Sequence, residues 1–212
     1  MMKLYGYFRS SAAYRVRIAL NLKAVPHEHA FVHLVRDGGG QHKPEYLARN
    51  PQALVPALEL EGGDVITQSL AIVEYLDEVY PDPPLLPGDA VARAQARAIA
   101  QAVACDTHPI NNLRVLQYLR HQMGQDKQGI DAWYRHWVET SFAAIEQMIG
   151  ADGFCIASQV TLADLCLMPQ IFNARRYEVD LAAYPRIRRV EEVCGAIPAF
   201  AEAYPARQPD AE

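Results

Sequence analysis

The chain has 212 residues, half of them apolar and 21% charged, which suffices for a core without disulfide support and lies far from disordered or fibrous compositions. A formal net charge of −5 argues against a general nucleic-acid binder, whose phosphate contacts need a basic surface. The cysteines Cys105, Cys155, Cys166 and Cys194 are widely spaced and form no metal pattern, and three lie in helix-like apolar contexts that read as reduced core. At the N-terminus, MMKLYGYFRS lacks a secretory h-region, and no apolar run approaches the roughly 20 residues of a membrane span, so a cytoplasmic protein without membrane partners is expected. The run KLYGYF, 3–8, is aromatic and β-prone, a first strand. Residues 11–23 place Tyr14, Ile18 and Leu22 at helical spacing, joined by Val16, Ala19 and Leu20, an amphipathic helix. HEHAFVHL, 27–34, reads as a second strand. A flexible triple glycine, a short helix near 44–49 and a strand at 57–60 follow. GGD at 62–64 predicts a hairpin turn, VIT a short strand, and SLAIVEYLDEVYP a helix that Ser69 can cap.

The order β-α-β-α-β-β-α fits a small mixed sheet with an antiparallel last pair. YPDPPLLPGD, 80–89, holds four prolines and reads as a linker, which divides the chain into 1–81, a linker at 82–89, and 90–212. The third part reads as all helix. One long pattern covers 90–123 with a bend at Pro109. A helix over 130–149 has Ile130, Trp133, Trp137, Phe142, Ile145 and Met148 as its apolar side. Thr161 and Asp164 open a helix over 161–177 as a capping box with an acid at its third position, and a last helix covers 186–203.

Several residue groups could carry chemistry. Ser10 and Ser11 stand where the first helix exposes unpaired N–H groups and the positive end of its dipole; they can cap the helix or stabilise a bound thiolate. Val55 precedes Pro56 and can exchange main-chain hydrogen bonds with an extended peptide. Gln68 and Ser69 open the next helix, where N–H groups and a hydroxyl can hold a carboxylate. His108, Asn111 and Asn112, at i, i+3 and i+4, share one helix face that could line a cleft or meet solvent, with Arg114 three residues after Asn111. In NARRY, Arg176 suits bidentate binding of a carboxylate, Arg175 reads as a surface charge, and Arg9 beside the serines is a second cation. Arg15 and Arg17 can be solvated or bonded internally, and no catalytic role is assigned to them.

Together these segments resemble the glutathione transferases, and SSAAYRVRIAL in particular resembles the zeta-class signature. NPQALVPAL is similar to the segment that ends in a cis proline, TQSLAIVEYL to the Gln-Ser pair that binds glutathione, and TLADLCLMPQ to the capped helix of the second domain. CDTHPINNLRVLQYLR resembles the bacterial maleylpyruvate isomerases of that class. The resemblance implies a thioredoxin-like, α/β N-terminal domain that binds glutathione, followed by an all-helical substrate-binding domain, and a homodimer formed between the first domain of one chain and the second of the other. It implies glutathione contacts from Ser10, Ser11, Gln41, Val55, Gln68, Ser69, His108, Asn112 and Arg114, with the γ-glutamyl carboxylate at Gln68 and Ser69. Ser10, Arg9 and Arg176 are the implied catalytic set, with no metal. The reaction implied is cis–trans isomerisation of a dianionic maleyl keto acid, either maleylacetoacetate or maleylpyruvate, with glutathione as cofactor in aromatic catabolism. One departure stands out: many zeta sequences carry Cys two positions after the first serine, and this chain has Ala12 there. A general glutathione transferase and a non-catalytic glutathione-fold protein are the alternatives, the second disfavoured by the joint presence of Ser10, Gln68, Ser69 and Arg176.

Overall fold

The computed structural model describes residues 1–212, which fall into two compact units. The first comprises Met1–Pro84 together with Ile197–Glu212, and the second Leu85–Ala196. The sequence reading grouped the last residues with the helical part. They return to the first unit because Arg17, buried on its first helix, donates to the Ala203 carbonyl (3.1 Å), and Asn21 donates to Ala199 (3.0 Å).

In the first unit, strands β1 (Met2–Gly6), β2 (His27–Phe31), β3 (Ala57–Glu59) and β4 (Val65–Thr67) form one sheet in the order β2-β1-β3-β4. β1 runs parallel to β2 and antiparallel to β3, and β4 is antiparallel to β3. Helix α1 (Ser11–Leu22) is buried along Ser11–Leu20, so its apolar residues, Val16, Ile18, Ala19 and Leu20 among them, are inside. Each of the larger ones contributes about 1.5–3 kcal/mol by leaving water. The short α2 (Pro44–Leu47) and then α3 (Ser69–Val79) follow. The triple glycine is folded rather than slack: 3₁₀ turns occupy Arg36–Gly38 and Gly40–His42. Gly39 suits the bend there, since its φ of +91° is strained for any residue with a side chain.

The second unit is helical throughout: α4 (Ala90–Gln101), a π-helical stretch Ala102–Thr107, α5 (His108–Ile110), α6 (Leu113–His121), α7 (Lys127–Met148), α8 (Leu162–Arg176) and α9 (Pro185–Gly195). The long helix expected over 90–123 therefore ends at Ile110 and restarts at Leu113. Two residues of α7, one through its side chain and one through its backbone carbonyl, account for the break. Trp133 donates to the Ile110 carbonyl (3.1 Å), and the Tyr134 carbonyl accepts from the buried Asn111 amide (3.4 Å). The buried stripe of α7 is Ile130, Tyr134, Val138, Phe142 and Ile145, with Trp133 and Trp137 half-buried and Met148 exposed. The helix expected over 186–203 is two: α9 stops at Gly195, and α10 (Pro198–Ala203) starts on Pro198, which cannot continue a preceding helix. Cys155, Cys166 and Cys194 are buried free thiols, while Cys105 on the π-helical stretch is exposed. The Thr161–Asp164 capping box is formed, and the buried Asp164 also accepts the Cys155 N–H at 2.8 Å. No helix is long and apolar enough to cross a membrane.

Candidate active site

Strand register brings the first unit's candidate residues to one end of the sheet. Gly6 pairs with Phe31, Tyr5 with Ala57, and Ala57 with Thr67, so β1, β2 and β4 finish where β3 begins. Arg9, Ser10 and Ser11 follow β1, Val55 precedes β3, and Gln68 and Ser69 follow β4.

Ser10 is the N-cap of α1, and its Oγ accepts the Ala13 N–H at 3.2 Å. A hydroxyl has one proton and two lone pairs, so capping uses an acceptor site and leaves the O–H to donate elsewhere. Cap and thiolate donor are therefore compatible roles for one side chain. Ser11 is buried as the first residue of α1. The loop before it is held from several directions. Arg17 donates to the carbonyls of Tyr7 (3.4 Å) and Phe8 (3.0 Å), and the Asp210 carboxylate accepts the Phe8 N–H (3.0 Å). Arg9 is exposed, its guanidinium donating to the Tyr7 hydroxyl (2.9 Å) and standing 5.1 Å from the Phe8 ring centre.

Val55 is buried, and its bond to Pro56 is cis, as the resemblance implied. The carbonyl just before it, on Leu54, is held by the Tyr46 hydroxyl (2.6 Å) and the Asn50 amide (2.7 Å). Burial pushes the Tyr46 hydroxyl up to about 12, so it remains a donor. Gln41 is buried, with its amide donating to the Leu34 carbonyl at 3.1 Å. Gln68 is exposed with φ +69°, its amide donating to Gln52 (2.7 Å). Ser69 does not cap α3 as expected: the N-cap position is Gln68, without a side-chain cap, and the Ser69 hydroxyl instead accepts from the buried Arg15 at 3.2 Å. Sequence reasoning left Arg15 without a role. Its signal in the sequence, shared with Arg17, is a charge within a helix stretch otherwise made of small and apolar residues.

In the second unit, His108 stays on α5 while Asn112 is the N-cap of α6, extended at ψ 148°, so the two do not share a helix face. The Asn112 side chain accepts the Arg114 N–H (3.2 Å), and Arg114 is exposed. Arg176, also exposed, ends α8 with its guanidinium 4.9 Å from the Tyr177 ring centre. Tyr177 is stacked on the buried Tyr134 at 3.6 Å. Arg176 lies on a cleft of about 390 Å³ with Leu113, Leu116, Arg120, Ile130 and Arg135 among its walls. Arg135 is engaged with the Tyr177 carbonyl (3.3 Å) and Lys127 with Asp131, which leaves Arg120 and Arg176 as the cations these contacts do not occupy. Arg175 is paired with Glu191 (2.7 Å).

Residues 4–84 match the family model described as glutathione S-transferase, N-terminal domain. The maleylacetoacetate isomerase of Pseudomonas aeruginosa is 50% identical over 209 residues, 99% of this chain and 98% of that protein. The chain belongs to the zeta-class glutathione transferases, in the group of the maleylacetoacetate and maleylpyruvate isomerases. The holo structure of maleylpyruvate isomerase, a bacterial zeta-class enzyme, superposes with a TM-score of 0.95 at 47% identity, covering 99% of this chain and all of that one. A maleylacetoacetate isomerase from Methylobacterium extorquens AM1, solved with malonate and glutathione, gives a TM-score of 0.94 at 44% identity, with 99% of each chain covered. As in the family, the first unit of this zeta-class chain is thioredoxin-like. Its polar groups suit a tripeptide thiol: Ser10 and Ser69 each accept from the protein and keep their own proton to give.

Proposed function

We infer that this chain is a glutathione-dependent cis–trans isomerase acting on a maleyl keto acid, maleylacetoacetate or maleylpyruvate, and yielding its fumaryl isomer. The observation that carries the reading is Ser10, a capping serine whose O–H remains to donate at the N-terminus of a long buried helix, in a chain 50% identical to a maleylacetoacetate isomerase along its whole length. When bound, glutathione would supply a thiolate able to add reversibly to the activated double bond, which makes it a single bond about which the substrate can turn. The protein's share is binding and electrostatics. Ser10 would donate a hydrogen bond to the sulfur while keeping its proton, and the N–H groups of α1 add a positive field that favours the ionised form. Ser69 and the N-terminus of α3 hold the γ-glutamyl carboxylate. Val55 offers main-chain hydrogen bonds to the tripeptide, with Gln41, Gln68, His108, Asn112 and Arg114 as further glutathione contacts. Arg176, assisted by Arg9, binds substrate carboxylates, and fixing them while one bond turns restricts the search for the product geometry. A protein thiol two positions after Ser10 is ruled out by Ala12. The reading includes a cytoplasmic homodimer.

The test is to mix the protein with freshly generated maleylacetoacetate or maleylpyruvate, with and without catalytic glutathione, and to follow the cis and fumaryl acids. Turnover that needs glutathione without consuming it supports the isomerase, and the two rates rank the substrates. Accumulating conjugate would favour a general transferase.

A further inference from the structure

The role of Ser69 depends on where its single proton points. Arg15 lies on α1 with 1% of its surface exposed, and Ser69 is the first residue of α3 with 5% exposed. The guanidinium Nη1 donates to Ser69 Oγ at 3.2 Å, across 54 residues of sequence. Guanidinium has five N–H donors and no acceptor, so Ser69 cannot donate back to Arg15. Ser69 is the first helical residue of α3 rather than its N-cap, so its hydroxyl is not engaged in capping that helix.

We propose that Arg15 is a positioning residue for glutathione recognition: by occupying a lone pair of Ser69, it directs the Ser69 O–H toward the γ-glutamyl carboxylate at the start of α3. The proposal rests on the glutathione reading above and adds to it the residue that orients the contact. Two physical effects act together. A hydroxyl that accepts from a charged donor is polarised and becomes a stronger donor itself. The buried charge behind it also adds to the field of the α3 N-terminus, which already favours an anion. Lysine at position 15 would keep the charge, but its point-like ammonium on a flexible stem lacks the planar fork that fixes the hydroxyl.

The experiment is calorimetric titration of the full chain with glutathione and with 4-aminobutyryl-cysteinylglycine, which lacks only the γ-glutamyl carboxylate, alongside thermal melts. Proteins compared are wild type, Arg15→Met, Arg15→Lys, Ser69→Ala and the Arg15→Met/Ser69→Ala double variant. Losing a hydrogen bond to a charged group predicts glutathione binding weakened about 10-fold to 100-fold in Arg15→Met and in Ser69→Ala. The double variant should lose little more than either alone, Arg15→Lys should fall between wild type and Arg15→Met, and the decarboxylated analogue should bind all variants alike. In turnover assays the KM for glutathione should rise far more than kcat falls. Should Arg15→Met fail to fold, Arg15→Lys and Ser69→Ala still carry the comparison between the two ligands. Fully additive losses, equal losses for both ligands, or wild-type affinity in a folded Arg15 variant would overturn the proposal. A wild-type protein that binds no glutathione would overturn the underlying reading too.

Discussion

The Asp210 carboxylate accepts the Phe8 N–H at 3.0 Å, joining residues 202 apart in sequence and tying the C-terminal segment to the loop that carries Arg9 and Ser10. Arg17 holds the carbonyls of Tyr7 and Phe8 in the same loop. The serine therefore sits at the end of a backbone fixed through both its donors and its acceptors. Asp210→Ala should leave the Phe8 N–H without its partner and cost about 1–3 kcal/mol of local order. Reduced kcat/KM with a faster-exchanging Phe8 amide is the expected outcome, read by steady-state kinetics and hydrogen exchange. Asp210→Asn, which retains an acceptor, should do less harm.

Ser10→Ala separates the two roles of that side chain. Loss of the cap costs about 1 kcal/mol, a fall of roughly 2–4 °C in Tm for a chain of this size. Loss of the donor should raise the pKa of bound glutathione, seen as an upward shift of the thiolate absorbance titration, with activity at neutral pH down about 10-fold to 100-fold, the worth of a hydrogen bond to a charged group. A lower Tm with an unmoved thiolate titration would reduce Ser10 to a cap.

Arg176→Lys keeps a charge but not the planar fork. The KM for the maleyl substrate should rise about 10-fold or more, while the affinity for glutathione measured by calorimetry stays at the wild-type level. Equal effects on both ligands would contradict a substrate-carboxylate role.

Asp164 is fully buried and accepts from the Cys155 N–H (2.8 Å), the Thr161 N–H (2.7 Å) and the Thr161 hydroxyl (2.8 Å). Asp164→Ala orphans all of them inside the helical unit. A stability loss of about 3 kcal/mol or more is expected in denaturant unfolding, with Asp164→Asn intermediate.

The Glu212 carboxylate is held below the usual range by its hydrogen bond from His33 and by Arg36. His33 Nδ1 accepts the N–H groups of Val35 and Arg36, which leaves Nε2 to donate to Glu212 at 2.9 Å. The sign follows from linkage. With its folded pKa depressed, the contact stabilises the docked C-terminus above the unfolded pKa and is lost as pH falls through the folded one. Amide exchange in the last residues, corrected for intrinsic rates, should rise across that acid window in wild type. In Glu212→Gln it should be raised at neutral pH and lose that step.

What could be read from the sequence obeys rules that act within a turn or two of chain. The capping of α1 by Ser10, the Thr161–Asp164 box and the turn at 62–64 involve neighbours only, and hydrophobic period alone set most helices and strands near their places. The cis bond at Val55–Pro56 and the family itself came from resemblance, which condenses tertiary information into motifs. Contacts between distant segments leave no local mark, and these only the tertiary structure decided. Nothing near Arg15 announces Ser69, and nothing near Asp210 announces Phe8. Ile110 to Leu113 reads as continuous helix until Trp133 takes the Ile110 carbonyl, because a side chain from another helix can outbid the next turn for a backbone acceptor. The return of α10 to the first unit has the same origin: its carbonyls at Ala199 and Ala203 meet Asn21 and the buried Arg17, and buried donors must find acceptors wherever the fold supplies them.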